Sequence, residues 1–329
     1  MAKIRLTLIG GPHDWVRPLF DGTVRPEGVE LVVTRAAPPE AMRRQLSAWE
    51  FDVSEMAFGA YLVARAHGAD VVAIPAFPMR GFFHTQFACH VDARIDGPGD
   101  LANKRVGIPE YVQSAALWAR GILQHDFGMN PYQVKWYVER AGADSTGAVL
   151  GLRPPEGVSV QQTPGGKSLV SMLVAHELDA ALVGRISQAP AGNGTKGAVR
   201  LMFPDVVAEG KRFFDQHGHI PANHTYIIRG DLVRKHPTLA ANLYHAFRES
   251  KAIVQKSLPQ NIPSGLVFGT EYLARSRELF GEDPFSYGIG PNRKMLETVV
   301  QFSQEQGLIR DQPMIEQLFA VGTAELSGD

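Results

Sequence analysis

Two periods of apolar and polar positions follow one another along this chain. Residues 4–9 alternate as a strand and stop at Gly10-Gly11-Pro12, a turn sequence. After a helical turn or loop over 13–20, residues 29–33 predict a second strand. Pro38-Pro39-Glu40 predicts the opening of a helix through Trp49, with proline in its favoured place in the first turn. A short strand at 51–55, a helix over 57–67 and a buried strand at 71–74 continue the pattern. Such strand–helix alternation argues for an α/β fold.

Residues 82–91 read as extended and lead out of this first lobe. A second lobe then follows. It has a strand at 105–108, a helix from Gln113-Ser114, a strand at 134–137 and a Pro/Gly-rich loop over 151–166. A helix over 168–176, a strand over 178–183 and a loop over 190–197 come next. Residues 223–229 predict an extended return, and helices are expected over 238–257, 271–280, 292–306 and 314–319. The expected organisation is a discontinuous α/β lobe, residues 1–91 plus 223–329, with residues 92–222 inserted. Two crossovers would then place strand ends around an interlobe cleft, where ligands of open α/β folds bind.

Composition narrows the partners. The 329 residues carry 33 Lys plus Arg against 34 Asp plus Glu, so no nucleic acid partner is implied. No run approaches the ~18 apolar residues of a membrane span. The first residues lack the apolar core and cleavage site of a signal peptide, so a cytoplasmic location is the expectation. The single cysteine, Cys89, reads as a small apolar strand residue and permits no internal disulfide. Neither G-x-G-x-x-G nor a P-loop is present, so no nucleotide cofactor is expected.

The stretch 100–124 is the most informative. A strand, the turn Pro109-Glu110-Tyr111 and a helix follow one another, and Ser114 is expected to cap that helix. Free first-turn amides and the helix dipole make such a turn an anion site. A small acidic ligand in a cleft is the expectation.

Several phrases together carry a resemblance. They are Arg17-Pro18-Leu19-Phe20-Asp21-Gly22, Phe51-Asp52-Val53-Ser54-Glu55-Met56, and Ile74-Pro75-Ala76-Phe77-Pro78 with Arg80 and His84. The stretch 100–124, Leu178-Asp179-Ala180, His224-Thr225, and Tyr287-Gly288 with Asn292-Arg293-Lys294 complete the set. The chain resembles the 4,5-dihydroxyphthalate decarboxylase family. The resemblance implies a two-lobed fold like that of type II periplasmic binding proteins. It also implies decarboxylation of a hydroxylated aromatic dicarboxylate, a small aromatic acid as partner, and an assembly of identical subunits. Two segments depart from the family pattern. The first loop reads Gly10-Gly11-Pro12-His13-Asp14 where the family more often has Cys-Gly-Asp-Tyr-Asp. Met79-Arg80-Gly81-Phe82-Phe83-His84 lacks one arginine beside the histidine, which leaves the ring acid open.

Loss of CO2 from a ring needs electrons pushed to the carboxylated carbon and an acid to protonate it. A histidine suits either task. His84 on the outgoing crossover and His224 on the returning one are the expected catalytic pair, with Glu55 to hold a histidine's tautomer or take a phenolic proton. Arg17 and Arg80 follow strands and suit a carboxylate through paired hydrogen bonds. Glu110, Ser114 and Arg185 are further substrate-binding candidates. Metal ligation is weighed at His13 and Arg17 with Asp14 nearby, and at His217 and His219 with Asp215 nearby. Neither set has the spacing of a zinc motif, so no metal site is assigned, and a divalent ion is left open. His217 and His219 read as exposed polar residues. The rival reading is a solute-binding module for the same class of acid.

Overall fold

The computed structural model describes residues 3–184, 197–323 and 326. Among the described residues eleven strands build two sheets. The first contains β1 (Ile4–Gly10), β2 (Val29–Arg35), β3 (Val53–Ala57), β4 (Val71–Ile74) and β11 (His224–Arg229), in the order β2-β1-β3-β11-β4. The second contains β5 (Phe87–His90), β6 (Arg105–Ile108), β7 (Lys135–Val138), β8 (Ser159–Gln162), β9 (Ala180–Leu182) and β10 (Val199–Leu201), in the order β10-β5-β9-β6-β7-β8. Strands β1, β2 and β3 run parallel, and β11 inserts antiparallel between β3 and β4. Helices follow most strands and cover the faces, as a largely parallel sheet requires. This is a two-lobed α/β fold.

The chain leaves the first sheet after Ile74, enters the second at Phe87, and returns between Leu201 and His224. Strand β5 therefore lies on the second-sheet side of the expected boundary at residue 91, because it hydrogen-bonds to β9 and β10. The two crossing segments do run side by side: Gly81 N donates to Pro221 O (3.0 Å) and Asn223 N to Met79 O (2.9 Å). The helix Val206–His217, where no element was expected, is capped by the Asp205 carboxylate, which accepts from Val207 N and Ala208 N. Strands β8 and β10 were also not anticipated, and most of the expected loop over 190–197 falls outside the described residues.

The helix Ser114–Phe127 joins the lobes. Its residues 114–123 are all buried, and one apolar cluster runs from Phe58 and Phe77 through Trp118 to Trp136. Ser114 does not cap the helix, as Gln113 holds the cap position without a side-chain bond; the Ser114 hydroxyl instead accepts from Gly59 N of the first lobe (2.8 Å). Trp118 Nε1 donates to Ala222 O (2.8 Å). Arg120 is fully buried, donating to Tyr111 O (2.6 Å) and Gln306 Oε1 (2.8 Å).

Gly121 lies against the helix Arg293–Glu305. A Cβ at this position would meet the Phe302 ring at 2.1 Å. In an open helix, Gly→Ala stabilises by ~1 kcal/mol. Here the sign reverses: we expect Gly121→Ala to destabilise by about 1–3 kcal/mol through overpacking, read as a lower denaturant midpoint with an unchanged slope.

Candidate active site

Strand β3 is buried along its whole length, yet carries a carboxylate at Glu55. A buried charge persists only with partners, and Glu55 has three. Its Oε2 accepts from Gly11 N (2.6 Å). Its Oε1 faces His13 Nε2 at 2.7 Å and His224 Nδ1 at 2.5 Å. The turn after β1 supplies Gly11 and His13, and the first residue of β11 supplies His224. Position 11 admits only glycine easily, because a Cβ would lie 2.9 Å from Pro38 Cγ and 3.1 Å from Glu55 Oε2. Burial alone would push the Glu55 carboxyl up, but the hydrogen bonds from His13 and His224 outweigh it and hold the group well below the usual carboxylate range. Glu55 is therefore ionised at neutral pH.

Asn223 Nδ2 lies 3.1 Å from His224 Nε2. These contacts fit one tautomer, with Nδ1–H donating to Glu55 and Nε2 accepting from Asn223. His224 and Asn223 line a cavity of about 520 Å³. Met42, Arg43, Ala57 and Met79 come to it from the first-sheet side, and Glu110, Gln113, Ser114 and Arg140 from the second. Its two cations differ. Arg140 is paired with Glu110 (2.9 Å), whereas Arg43 is exposed and has no carboxylate within 4.0 Å among the described residues.

The expected site residues divide accordingly. His224 and Glu55 come together, and Glu110 and Ser114 line the same cavity. Glu110 is buried and also accepts from Ser145 Oγ (3.2 Å) and Gly147 N (3.2 Å). His84 is not brought to His224. It is buried between Phe203 and Phe213, with Nε2 at 2.7 Å from Glu209 Oε1. Burial pulls its pKa down. Arg17 is exposed in the short helix Arg17–Phe20 and does not line the cavity. Arg80 ties the crossover to the C-terminal segment, donating to Ile220 O (3.1 Å), Ser286 O (2.6 Å) and Asn292 Oδ1 (2.6 Å). Arg185 lies outside the described residues. Among the polar cavity or site residues missed as such are His13, which had been weighed only as a metal ligand, Asn223, Arg43 and Arg140.

Nitrogen and oxygen atoms of His13, Glu55 and His224 lie within 4.8 Å of one another, the donor types of a His2Glu metal site. Their closest separations, 2.5 and 2.7 Å, are hydrogen-bond distances. Ligands each ~2.0–2.1 Å from a tetrahedral ion would stand about 3.3 Å apart. The arrangement as it stands is a hydrogen-bonded acid–base group.

No family model matches the chain. A 4,5-dihydroxyphthalate decarboxylase of Comamonas testosteroni is 30% identical over 313 residues, covering 94% of each chain. The chain belongs to the 4,5-dihydroxyphthalate decarboxylase family. A second member of this decarboxylase family, from Pseudomonas putida, is 34% identical over 185 residues, 55% of this chain and 71% of its own. Among solved structures, the aliphatic sulphonate binding protein SsuA of Escherichia coli superposes with a TM-score of 0.59 at 13% identity, covering 99% of this chain and 100% of its own. The desulfurization enzyme DSZB superposes at 0.50 with 15% identity, over 98% of both chains. These likenesses show the periplasmic-binding-protein-like fold expected of the decarboxylase family. No helix among the described residues is long and apolar enough to cross a membrane.

His219, expected to be exposed, is buried against Trp118 and Phe213, with Nδ1 donating to His217 O (3.1 Å). Burial pulls its pKa down to about 3. The unfolded chain, with a histidine pKa of ~6.5, binds this proton first. Stability is thus fully present above about pH 6.5 and falls as the pH drops towards 3. We expect His219→Asn, which keeps a donor to His217 O, to flatten the loss of denaturant midpoint between pH 7 and pH 5. An unchanged slope would refute the assignment.

Proposed function

We propose that this chain decarboxylates a hydroxylated aromatic dicarboxylate, most simply 4,5-dihydroxyphthalate to protocatechuate and CO2, in the cavity that His224 lines. The observation that carries this reading is the ionised, buried Glu55 held against His224 Nδ1. That contact fixes the imidazole through Nδ1 and leaves Nε2 on the cavity side. When Nε2 carries a proton, the Asn223 amide turns its otherwise unpartnered Oδ1 to accept from it until the ring takes the proton.

The electron flow is then simple. A hydroxyl para to the departing carboxylate pushes electrons through the ring. His224 Nε2–H delivers its proton to the carbon that carries that carboxylate. The C–C bond breaks, its electron pair restores aromaticity, and CO2 departs. One proton is consumed per turnover, and solvent recharges the imidazole. The para oxygen and the protonated carbon lie on opposite sides of the ring, so one imidazole serves only the carbon. Arg43 is the unpaired cation available to the carboxylate that stays, and Arg140 stands near enough to the same cavity to balance phenolate charge. His13 shares Glu55 Oε1 and acts through it, by positioning and by sharing charge.

The solute-binding alternative has the SsuA-like fold in its favour, and the same assay separates the two. Chelator-treated protein is incubated with 4,5-dihydroxyphthalate while protocatechuate and CO2 are followed. Product in excess of protein supports the decarboxylase reading; a ligand that binds and survives unchanged supports the binding module. We expect His224→Ala to lower kcat by about 10²–10⁴-fold. Arg43→Ala should chiefly raise KM, and His84→Ala should keep most turnover. Near-normal rates for His224→Ala would remove it from the mechanism.

A further inference from the structure

We propose that a second cavity, formed by both lobes away from His224, is a binding site for a small oxyanion of two or more negative charges, of the phosphate type. This cavity measures about 600 Å³. Leu62, Arg65 and His67 form one wall, at the end of the helix Phe58–Ala66. The turn over 307–311, after the helix Arg293–Glu305, brings Arg310 and Asp311. The second lobe contributes the segment 151–153 with Arg153. None of these residues lines the cavity of His224.

Charge is the first argument. Three arginines line this space against one carboxylate residue, Asp311. Among the described residues, no carboxylate oxygen lies within 4.0 Å of Arg65, Arg153 or Arg310. Arginines gathered without counter-ions repel one another, and an anion relieves that repulsion. Preorganisation is the second argument. Arg65 Nη1 donates to Val71 O (3.0 Å) and Nη2 to Gln317 O (3.1 Å). Those carbonyls fix the guanidinium in place without neutralising it, so little side-chain freedom is lost when an anion binds. A planar fork held in this way suits the oxygen pairs of phosphate or carboxylate.

Position gives the site its consequence. Beside it the lobes approach closely: Gly307, at φ +69°, lies where a Cβ would meet Pro155 Cγ at 2.5 Å. An anion seated among Arg153 of one lobe and Arg65 and Arg310 of the other adds an ionic tie across that junction. Ligand bound there stabilises the arrangement of the lobes seen in this structure, at a distance in the chain from the His224 cavity.

Thermal melts test the site at constant ionic strength, set with sodium chloride. Phosphate, pyrophosphate and citrate are added separately to the full chain, to Arg153→Ala/Arg310→Ala, and to Arg43→Ala. We expect phosphate or pyrophosphate to raise Tm by roughly 2 °C or more over chloride. The shift should be lost in the double variant and kept in Arg43→Ala. A shift with citrate alone, no shift with any probe, or a shift kept in the double variant overturns the proposal. A shift lost in Arg43→Ala assigns the anion to the His224 cavity and overturns it too. The double variant removes two exposed side chains, and its melt without anion checks that it folds.

Discussion

A single buried charge organises the candidate-site half of this molecule. Glu55 sits in the middle of strand β3, between β1 and β11. An ionised carboxylate in that position carries a desolvation cost of several kcal/mol. It is tolerated because both neighbouring strands deliver donors to it, an amide and an imidazole from the turn after β1 and a second imidazole from the start of β11. The local sequence is shaped around that need. Gly10-Gly11 lets the backbone approach the carboxylate, and the antiparallel insertion of β11 brings His224 from a segment 169 residues away.

The cavity in front of His224 exists because the lobes are held in one arrangement behind it. The helix Ser114–Phe127 shares apolar contacts with both lobes, and its first residue accepts a hydrogen bond from Gly59. The paired crossovers and Trp118 on Ala222 O fix the same junction from another direction. A continuous core of this kind resists the free domain motion expected across small polar interfaces. Arg80, with its guanidinium taken up by Ile220, Ser286 and Asn292, belongs to this framework.

The α/β class, the paired crossovers and most elements were legible in the chain because period and turn residues are local signals. Glu55 and His224 were legible through the phrases that contain them. His13 was not seen as their partner, since its bond to Glu55 spans 42 residues and depends on strand order. A polar residue inside an otherwise apolar strand was the available clue, because such a group must find donors nearby. The separation of His84 from His224 was not legible for a related reason. The carboxylate partner of His84, Glu209, lies on a helix hidden by the β-branched start Val206-Val207 and by Gly210. That glycine belongs to a packing contact instead, for a Cβ there would meet the Phe82 ring at 2.7 Å. Period alone could not tell which sheet β5 joins.

The decarboxylase family shares its fold with binding proteins, and fold does not separate chemistry from capture. Electrostatics does bear on it. A receptor for a dianion gains nothing from an ionised carboxylate buried behind the pocket wall, where low polarity lets its repulsion reach the ligand. The same carboxylate is useful if a neighbouring imidazole must carry a proton while the ligand's ring accumulates electrons. Glu55 opposes anion binding but fixes the imidazole of His224 through Nδ1, and Arg43, unpaired among the described residues, offsets the first effect without touching the second. A carboxylate set behind the imidazole, with Arg43 unpaired among the described residues at the cavity wall, suits a proton-transfer site better than a receptor for an anion.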